Sequence, residues 1–407
     1  MNSEAPNRRA QSRLRVETVD TYAGFQAIEA AWKALEDRDP EATFFLSWDW
    51  LAQAFRDNPY RWSVLAVYAP DGEDVIVGLL PLKYGVHWST TRNEFQTEIE
   101  AGGRLLFSEY TGFLCDPDKE VAVMEALAMT LRTMPWSKLS LRYVAQKRRA
   151  ELFCASFEQF GYKVSWKEYR INKGETNNLV CPHVSLPDDF ETYLQTSVSS
   201  NTRQRYRRFQ RKYFADGDYH FTHCDADSFE KDIATLMGFW KHKWAPTKGG
   251  SKSLKVASNF EKVLEAALET EALFLPVLWR GDTPLAALGH VMDPKNGSMH
   301  FIIAGRDSTA EEAFIGAALH FHSIECAIML GCQYYDFGHG DEEYKFSYGA
   351  EKTTVQYFSV NRPTGDPEKV FDSISTGVAL KRIEKLIKAG KTDQAERACR
   401  QLSQLFT

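Results

Sequence analysis

An apolar run with helical spacing, Phe314 to Leu330, stops at Gly331, and the chain goes straight into Gln333-Tyr334-Tyr335-Asp336-Phe337. Glycine just past a helix takes the left-handed conformation without a Cβ clash, so Gly331 marks the helix end. The residues after it read as a short buried strand. Gly338 and Gly340 break that strand and let the backbone turn or approach a ligand closely. Strand ends in open α/β sheets are where ligands bind. His339 to Lys345 then put a histidine, three acids, an aromatic and a lysine beside the break. A solvated turn has no need of Tyr335, Phe337 and Tyr344 among its charges. We therefore read this stretch as a site, with a charged strand-to-helix turn as the plainer alternative.

The rest of the chain has the same α/β character. Leu14 to Val19 alternates like a strand, and Tyr22 to Leu35 has helical spacing. Arg61 to Ala69 and Val75 to Lys83 form a hairpin across Pro70-Asp71-Gly72-Glu73. Tyr84 to Phe107 has no clean period and reads as a long loop or an irregular strand region. Strands at Tyr110 to Cys115, Leu139 to Val144 and Tyr162 to Tyr169 alternate with helices at Val121 to Met134 and Arg149 to Phe160. A second run of similar order begins near Pro182. It has helices at Asp189 to Leu194, Ser199 to Phe214, Phe229 to Trp244 and Leu254 to Leu268. Its strands are Asp218 to His223, Leu273 to Trp279, Leu285 to Val291 and Met299 to Ala304, followed by a last strand at Thr354 to Val360. Arg280-Gly281-Asp282 and Asn296-Gly297 supply hairpin turns. The expected organisation is a disordered segment 1–13, α/β domains at 14–181 and 182–362, and a helical extension 363–407 that packs on the second domain.

At 407 residues the chain has room for two domains, and its 43% hydrophobic and 26% charged residues are a soluble globular mixture. A net charge of -6 offers no broad cationic field for nucleic acid. No apolar run approaches the length of a membrane span, and the start, MNSEAPNRRAQSR, lacks a signal peptide's apolar core, so a cytoplasmic protein is expected. The seven cysteines include no C-x-x-C pair, so buried reduced thiols are expected, with no metal.

YDFGHGDEEYKFSYGAE resembles the C-terminal signature, roughly DFGRGDExYKxxFGA, of the CelD-like acetyltransferases, which are GNAT-type proteins of bacterial polysaccharide production. Asp336, Phe337, Gly338, Gly340, Asp341, Glu342, Tyr344, Lys345, Gly349 and Ala350 match, while His339 replaces arginine and Tyr348 phenylalanine. A looser form is similar to the Fem-type aminoacyltransferases. Phe45-Leu46-Ser47-Trp48-Asp49-Trp50 resembles the opening motif of both families, where it helps form the acceptor cleft, and makes Trp48 a candidate beside its reading as aromatic core. The resemblance implies tandem GNAT-like acyltransferase domains over roughly 14–362. It also implies acetyl-CoA or another acyl-CoA as cosubstrate, with a small-molecule or glycan-precursor acceptor.

Acyl transfer needs a held carrier, a stabilised oxyanion and a proton acceptor. The resemblance places the carrier's pyrophosphate at the start of the helix after the central strand, where free N–H groups favour anions. Here that is Arg306 to Gly316. Of the family's loop only Arg306, Asp307 and Gly316 match, since Ala313-Phe314-Ile315-Gly316 stands in place of Ser-Pro-Gly or a second glycine. Asp336, at a strand end among apolar neighbours, is the expected base, its pKa raised by burial. Its plainer reading is a cap. His290 on an apolar strand is the second candidate, though such histidines are more often core residues; His300 is a similar case. Lys345 would stabilise negative charge, or pair with Glu342 or Asp341. Arg203, Arg207 and Arg211 share a helix face and suit an anionic acceptor, against the commoner solvated face. Trp244 before a Gly/Lys-rich turn could belong to a lid, and Tyr344 to the acceptor site. Two alternatives stand beside this reading: transfer from aminoacyl-tRNA, and a non-catalytic binding protein that lost the carrier loop.

Overall fold

The computed structural model describes residues 14–70, 74–215, 217–248, 250–311, 314–363 and 369–405, without the side chains of 245–248 and 250–252. The expectations for 1–13, for the turn at 71–73, for Gly249 and for Ala313 lie outside the described residues. Two eight-stranded mixed sheets carry the fold. The first runs Arg15–Val19, Trp62–Tyr68, Ile76–Ser89, Glu94–Ala101, Lys138–Val144, Gln356–Asn361, Lys163–Trp166, with Leu114–Cys115 paired to Ile76–Ser89. The second runs Tyr219–His223, Pro276–Arg280, Thr283–Asp293, Ser298–Arg306, Tyr334–Asp336, Val180–Ser185, Glu351–Thr354, with Leu273–Phe274 paired to Thr283–Asp293. The repeated order read from the sequence is present. Each sheet has one parallel pair of strands among the described residues, and each holds for three residues: Glu98–Glu100 against Lys138–Ser140, and Ser298–His300 against Tyr334–Asp336.

The helices Glu120–Thr133 and Lys147–Glu158 cover one face of the first sheet, and Ile315–Met329 covers one face of the second. The remaining faces meet in a shared core that joins Phe45, Trp50 and Tyr110 to Leu236, Val277 and Ile302. Two halves with a common core hold their facing side chains rigidly, as a site between them requires.

Several expectations need correction. The region 84–107 is the continuation of Ile76–Ser89 and the strand Glu94–Ala101. Its alternation was obscured because one inward position is Thr97, whose hydroxyl accepts a hydrogen bond from the Asp372 N–H at 2.9 Å. Tyr110 to Cys115 pairs only at Leu114–Cys115 and through a bridge from Thr111 to Val144. Gln356–Asn361, expected to close the second sheet, lies in the first, where Phe358 and Val360 are buried in the core with Phe153. Val180–Ser185 belongs wholly to the second sheet, so the expected boundary at 181/182 cuts through a strand. The helices Thr376–Lys388 and Thr392–Ser403 pack on the first sheet instead of the second: Ala379, Ile383, Ala398 and Leu402 cover Val86 and Phe95. The turn expected after Trp244 is the last turn of the helix Phe229–Lys248.

Candidate active site

The parallel pairing of the second sheet ends at His300 and Asp336. Ser298–Arg306 runs on, while the chain after Asp336 turns away through Gly338 (φ +64°) and Gly340 (φ +103°). A Cβ on Gly338 would stand 3.0 Å from the Phe301 carbonyl oxygen, so both backbone conformation and space demand glycine there. The ladder to Thr283–Asp293 shifts register beside Ile302, as at a β-bulge. The gap between the parting strands opens into a cavity of 1130 Å³. One wall is the helix Ile315–Met329, through Gly316, Ala317, His320 and Phe321. The other comes from the first half, through Arg104, Glu109, Tyr143, Asn172 and Asn178.

The two walls differ chemically. On the helix side no side chain caps the first turn among the described residues, and a Cβ at Gly316 would meet nothing within 4 Å. Gly316 therefore leaves room for a ligand beside the first turn. Arg205, Lys243 and Arg306 line the same cavity. The Lys243 pKa is lowered, by burial and then by the charge of Arg306, so the two cations are close. On the other wall Phe107, Tyr143 and Asn172 have positive φ without being glycine. Such backbones cost about 1–3 kcal/mol each and persist where the surroundings enforce them. Tyr143 is enforced: its hydroxyl accepts from Asn178 at 2.6 Å, and its ring stacks 3.8 Å from that of His339.

A charged cluster lies where the halves meet. Asp336 accepts from Tyr110 Oη at 2.5 Å, from His300 Nδ1 at 3.1 Å and from the Gly338 N–H at 2.7 Å. Burial opposes its charge, but His300, Tyr110 and Gly338 outweigh burial and hold its pKa at about 2. His300 is raised in turn, because Asp336 outweighs burial. Glu109 lacks such support. Burial raises it to about 7 against the pull of Arg104. Its carboxylate lies 3.2 Å from His339 Nε2. That imidazole is neutral, lowered by burial to about 3, and donates from Nε2 to the Glu109 carbonyl at 2.6 Å. Glu109 is thus a half-buried carboxyl in the cavity wall with a pKa raised to about 7.

Behind the helix wall is an uncharged relay. His290 Nδ1 lies 3.1 Å from the Phe274 carbonyl and must carry the proton. Its Nε2 therefore accepts from Tyr335 Oη at 2.9 Å, and Tyr335 accepts from His320 Nδ1 at 2.8 Å. Burial keeps His290, at about 3, and His320 neutral. The relay fixes the His320 tautomer, leaving Nε2 as an acceptor on a residue that lines the cavity.

The expected site residues fall into two groups. Gly316, Arg306, Trp244, Tyr344 and Lys345 line the cavity. The others do not. Asp336 is an ionised anchor with a lowered pKa, the reverse of the expected base, because sequence could not show that His300 and Tyr110 face it. His290 is wholly buried and acts through Tyr335. Lys345 donates to the carbonyls of His339 (2.7 Å) and Gly340 (3.0 Å) and pairs with Glu342 (3.0 Å), so its three N–H bonds hold the turn together. Asp307 caps its own turn through the Thr309 N–H. Arg203 donates to the Leu194 and Gln195 carbonyls, and Arg207 pairs with Glu191. Arg211 is exposed outside the cavity. On that helix it is Thr202 and Arg205 that reach the site. Trp48 stacks on Phe25 at 5.1 Å as part of the aromatic core. Sequence reasoning missed Glu109, His320 and Arg104. Glu109 fell between the region 84–107 and the strand read from Tyr110, and nothing local marks a lone glutamate as part of a cavity wall.

A protein-family model described as an acetyltransferase (GNAT) domain matches residues 200–346. FemX is similar in structure, with a TM-score of 0.58 at 11% identity, over 84% of this chain and 96% of that one. A conserved protein of unknown function from Bacteroides thetaiotaomicron has a TM-score of 0.49 at 14% identity, over 86% and 100%. A tandem GNAT protein from the clavulanic acid biosynthesis pathway has 0.47 at 10%, over 86% and 100%. No curated protein matches the chain in sequence. Residues 200–346 hold the parting strands, the helix at their mouth and most of the glycine-broken stretch, so the chain carries an acetyltransferase (GNAT) domain and is by that domain an acyltransferase.

Proposed function

We propose that the chain transfers an acyl group from acetyl-CoA or another acyl-CoA to an amine or hydroxyl of a small acceptor. A sugar or amine intermediate of polysaccharide or envelope synthesis fits the acceptor wall. The observation that carries this reading is the chemical asymmetry of the cavity. At one end the start of the helix Ile315–Met329, with Gly316 in its first turn, lies with Arg205, Lys243 and Arg306; across the gap stands Glu109, with a pKa of about 7. The phosphates of the carrier sit at the helix start, where N–H groups and guanidinium forks suit them. The acyl arm enters between Phe301 and Gly338, and the acceptor lies against Tyr143, Tyr169, Asn172 and Asn178, rings and amides that suit a sugar's apolar face and hydroxyls. The acceptor attacks the thioester carbonyl and its proton passes to Glu109. The tetrahedral intermediate then expels the carrier thiolate, which is protonated from solvent. His320 Nε2, on the carrier side, accepts a hydrogen bond from an amide of the arm.

Calorimetric titration with acetyl-CoA and longer acyl-CoAs tests the reading. Saturable binding is expected, and Gly316→Glu weakens it at least tenfold by adding negative charge beside the phosphates. Because the position is open, the mutant keeps its melting temperature. Equal affinity in parent and mutant places the carrier elsewhere. Silence with every acyl-CoA, together with binding of a charged tRNA, makes the aminoacyl donor the better reading.

A further inference from the structure

Outside the acyl-transfer cavity, three metal-ligating side chains converge. His223 ends the edge strand Tyr219–His223, and His322 and Cys326 stand four residues apart on one face of the helix Ile315–Met329. His223 Nε2 lies 2.9 Å from His322 Nε2, and Cys326 Sγ lies 3.8 and 3.6 Å from those two nitrogens. The imidazole planes are 3° apart, and Phe221 stacks on His322 at 3.8 Å, which fixes that ring. None of the three lines the cavity.

We propose that His223, His322 and Cys326 form a zinc site that clips the edge strand to the helix. Two imidazoles and a thiolate are a donor set for a borderline-soft cation, and helical i, i+4 spacing presents two of them together. Tetrahedral zinc with ordinary bond lengths needs about 3.3 Å between two nitrogens and about 3.6 Å between nitrogen and sulfur. The observed separations are close to these, and a small rotation of His223, the exposed member, opens the shorter one. Without metal the two imidazoles share a single N–H···N hydrogen bond. On binding, the donor ring moves its N–H from Nε2 to Nδ1 and the Cys326 thiol releases its proton to solvent, so each ligand offers one lone pair. The fourth position opens towards solvent beside His223 and takes water.

The clip has a structural consequence. It ties residues 99 positions apart, and cross-links over long loops constrain the unfolded chain most. It also holds the helix whose first turn faces the cavity. The site stands whether or not the proposed carrier is right, since its ligands and its test are separate from the cavity.

Tag-free protein, stripped of metal and dialysed against zinc chloride, is expected to retain about one zinc per chain. Its melting temperature rises with zinc and falls back with chelator. Cobalt(II) in place of zinc produces a thiolate-to-metal charge-transfer absorption. Cys326→Ser abolishes that absorption, and His223→Ala, at an exposed position where folding is not at risk, loses zinc retention and the thermal shift. Equal zinc retention in parent and His223→Ala overturns the proposal. So does a cobalt spectrum without a thiolate band, or a protein that takes up copper(I) and ignores zinc.

Discussion

Tyr335 and Asp336 are neighbours on one strand and point to opposite faces of the second sheet. Their surroundings are opposite in charge. Around Tyr335, His290 and His320 are neutral, because burial acts on them without a counter-charge. Around Asp336, His300 is raised and the carboxylate lowered, because each supplies the other's counter-charge and the first half adds the Tyr110 hydroxyl. Burial is the largest single influence on every one of these groups. What differs is whether a partner is present to outweigh it. The helix face is a scaffold of neutral hydrogen bonds that one half can build alone. The junction face needs both halves, and it leaves Glu109 incompletely compensated.

The sharpest way to break this contrast is Glu109→Gln. If Glu109 is the proton acceptor, single-turnover rate falls by about 10² to 10⁴ with acyl-CoA affinity and melting temperature retained. In the parent, kcat/KM rises with pH through about 7 as the carboxyl ionises, and the mutant loses that rise. A parent profile flat across that range removes Glu109 from the mechanism.

Asp336→Asn comes next. It strands His300 in a buried site, and breaking such a pair costs about 3–5 kcal/mol. Urea unfolding of parent and mutant measures the loss. The pair also sets a pH window. The Asp336 pKa is lowered to about 2 on folding, so its contribution is present above the ordinary value of 3.8 and is lost as pH falls towards 2. The His300 pKa is raised on folding, so its contribution is complete below 6.5 and is lost as pH rises through the folded value. Stability of the parent therefore falls on both sides of this window, and that of Asp336→Asn changes less on each. Identical pH–stability curves in the two proteins contradict the ion pair.

Tyr335→Phe is expected to cost less, about 1–3 kcal/mol, by leaving two ring nitrogens of neutral histidines without partners. Its loss is the same at pH 6 and pH 8, since neither histidine titrates there. A loss that grew between those pH values would show that the helix face carries charge after all.

Much of the fold was legible for local reasons. The helix before Gly331, the glycine-broken strand and the meander of hairpins each follow from spacing within a dozen residues. The motif marked a stretch that reaches the cavity, but it could not show that Asp336 and Lys345 are tied to partners in and around the turn, or that residue 109 brings an acid to the opposite wall. Arg203 and Arg207 satisfied a helical-face argument and are nonetheless occupied with Leu194, Gln195 and Glu191. Periodicity reports which residues share a face. It does not report what that face meets.

By itself the sequence determined the α/β elements, their repeated order and the break at Gly338, because these depend on side-chain period and on backbone freedom at single residues. Tertiary structure decided the rest. It placed Gln356–Asn361 in the first sheet and Val180–Ser185 in the second, since strand pairing answers to buried area rather than to chain order. It also decided which carboxyl is held ionised and which is poised near neutrality. A pKa depends on the groups within a few ångströms, and around Asp336 and Glu109 those groups come from residues more than two hundred positions apart.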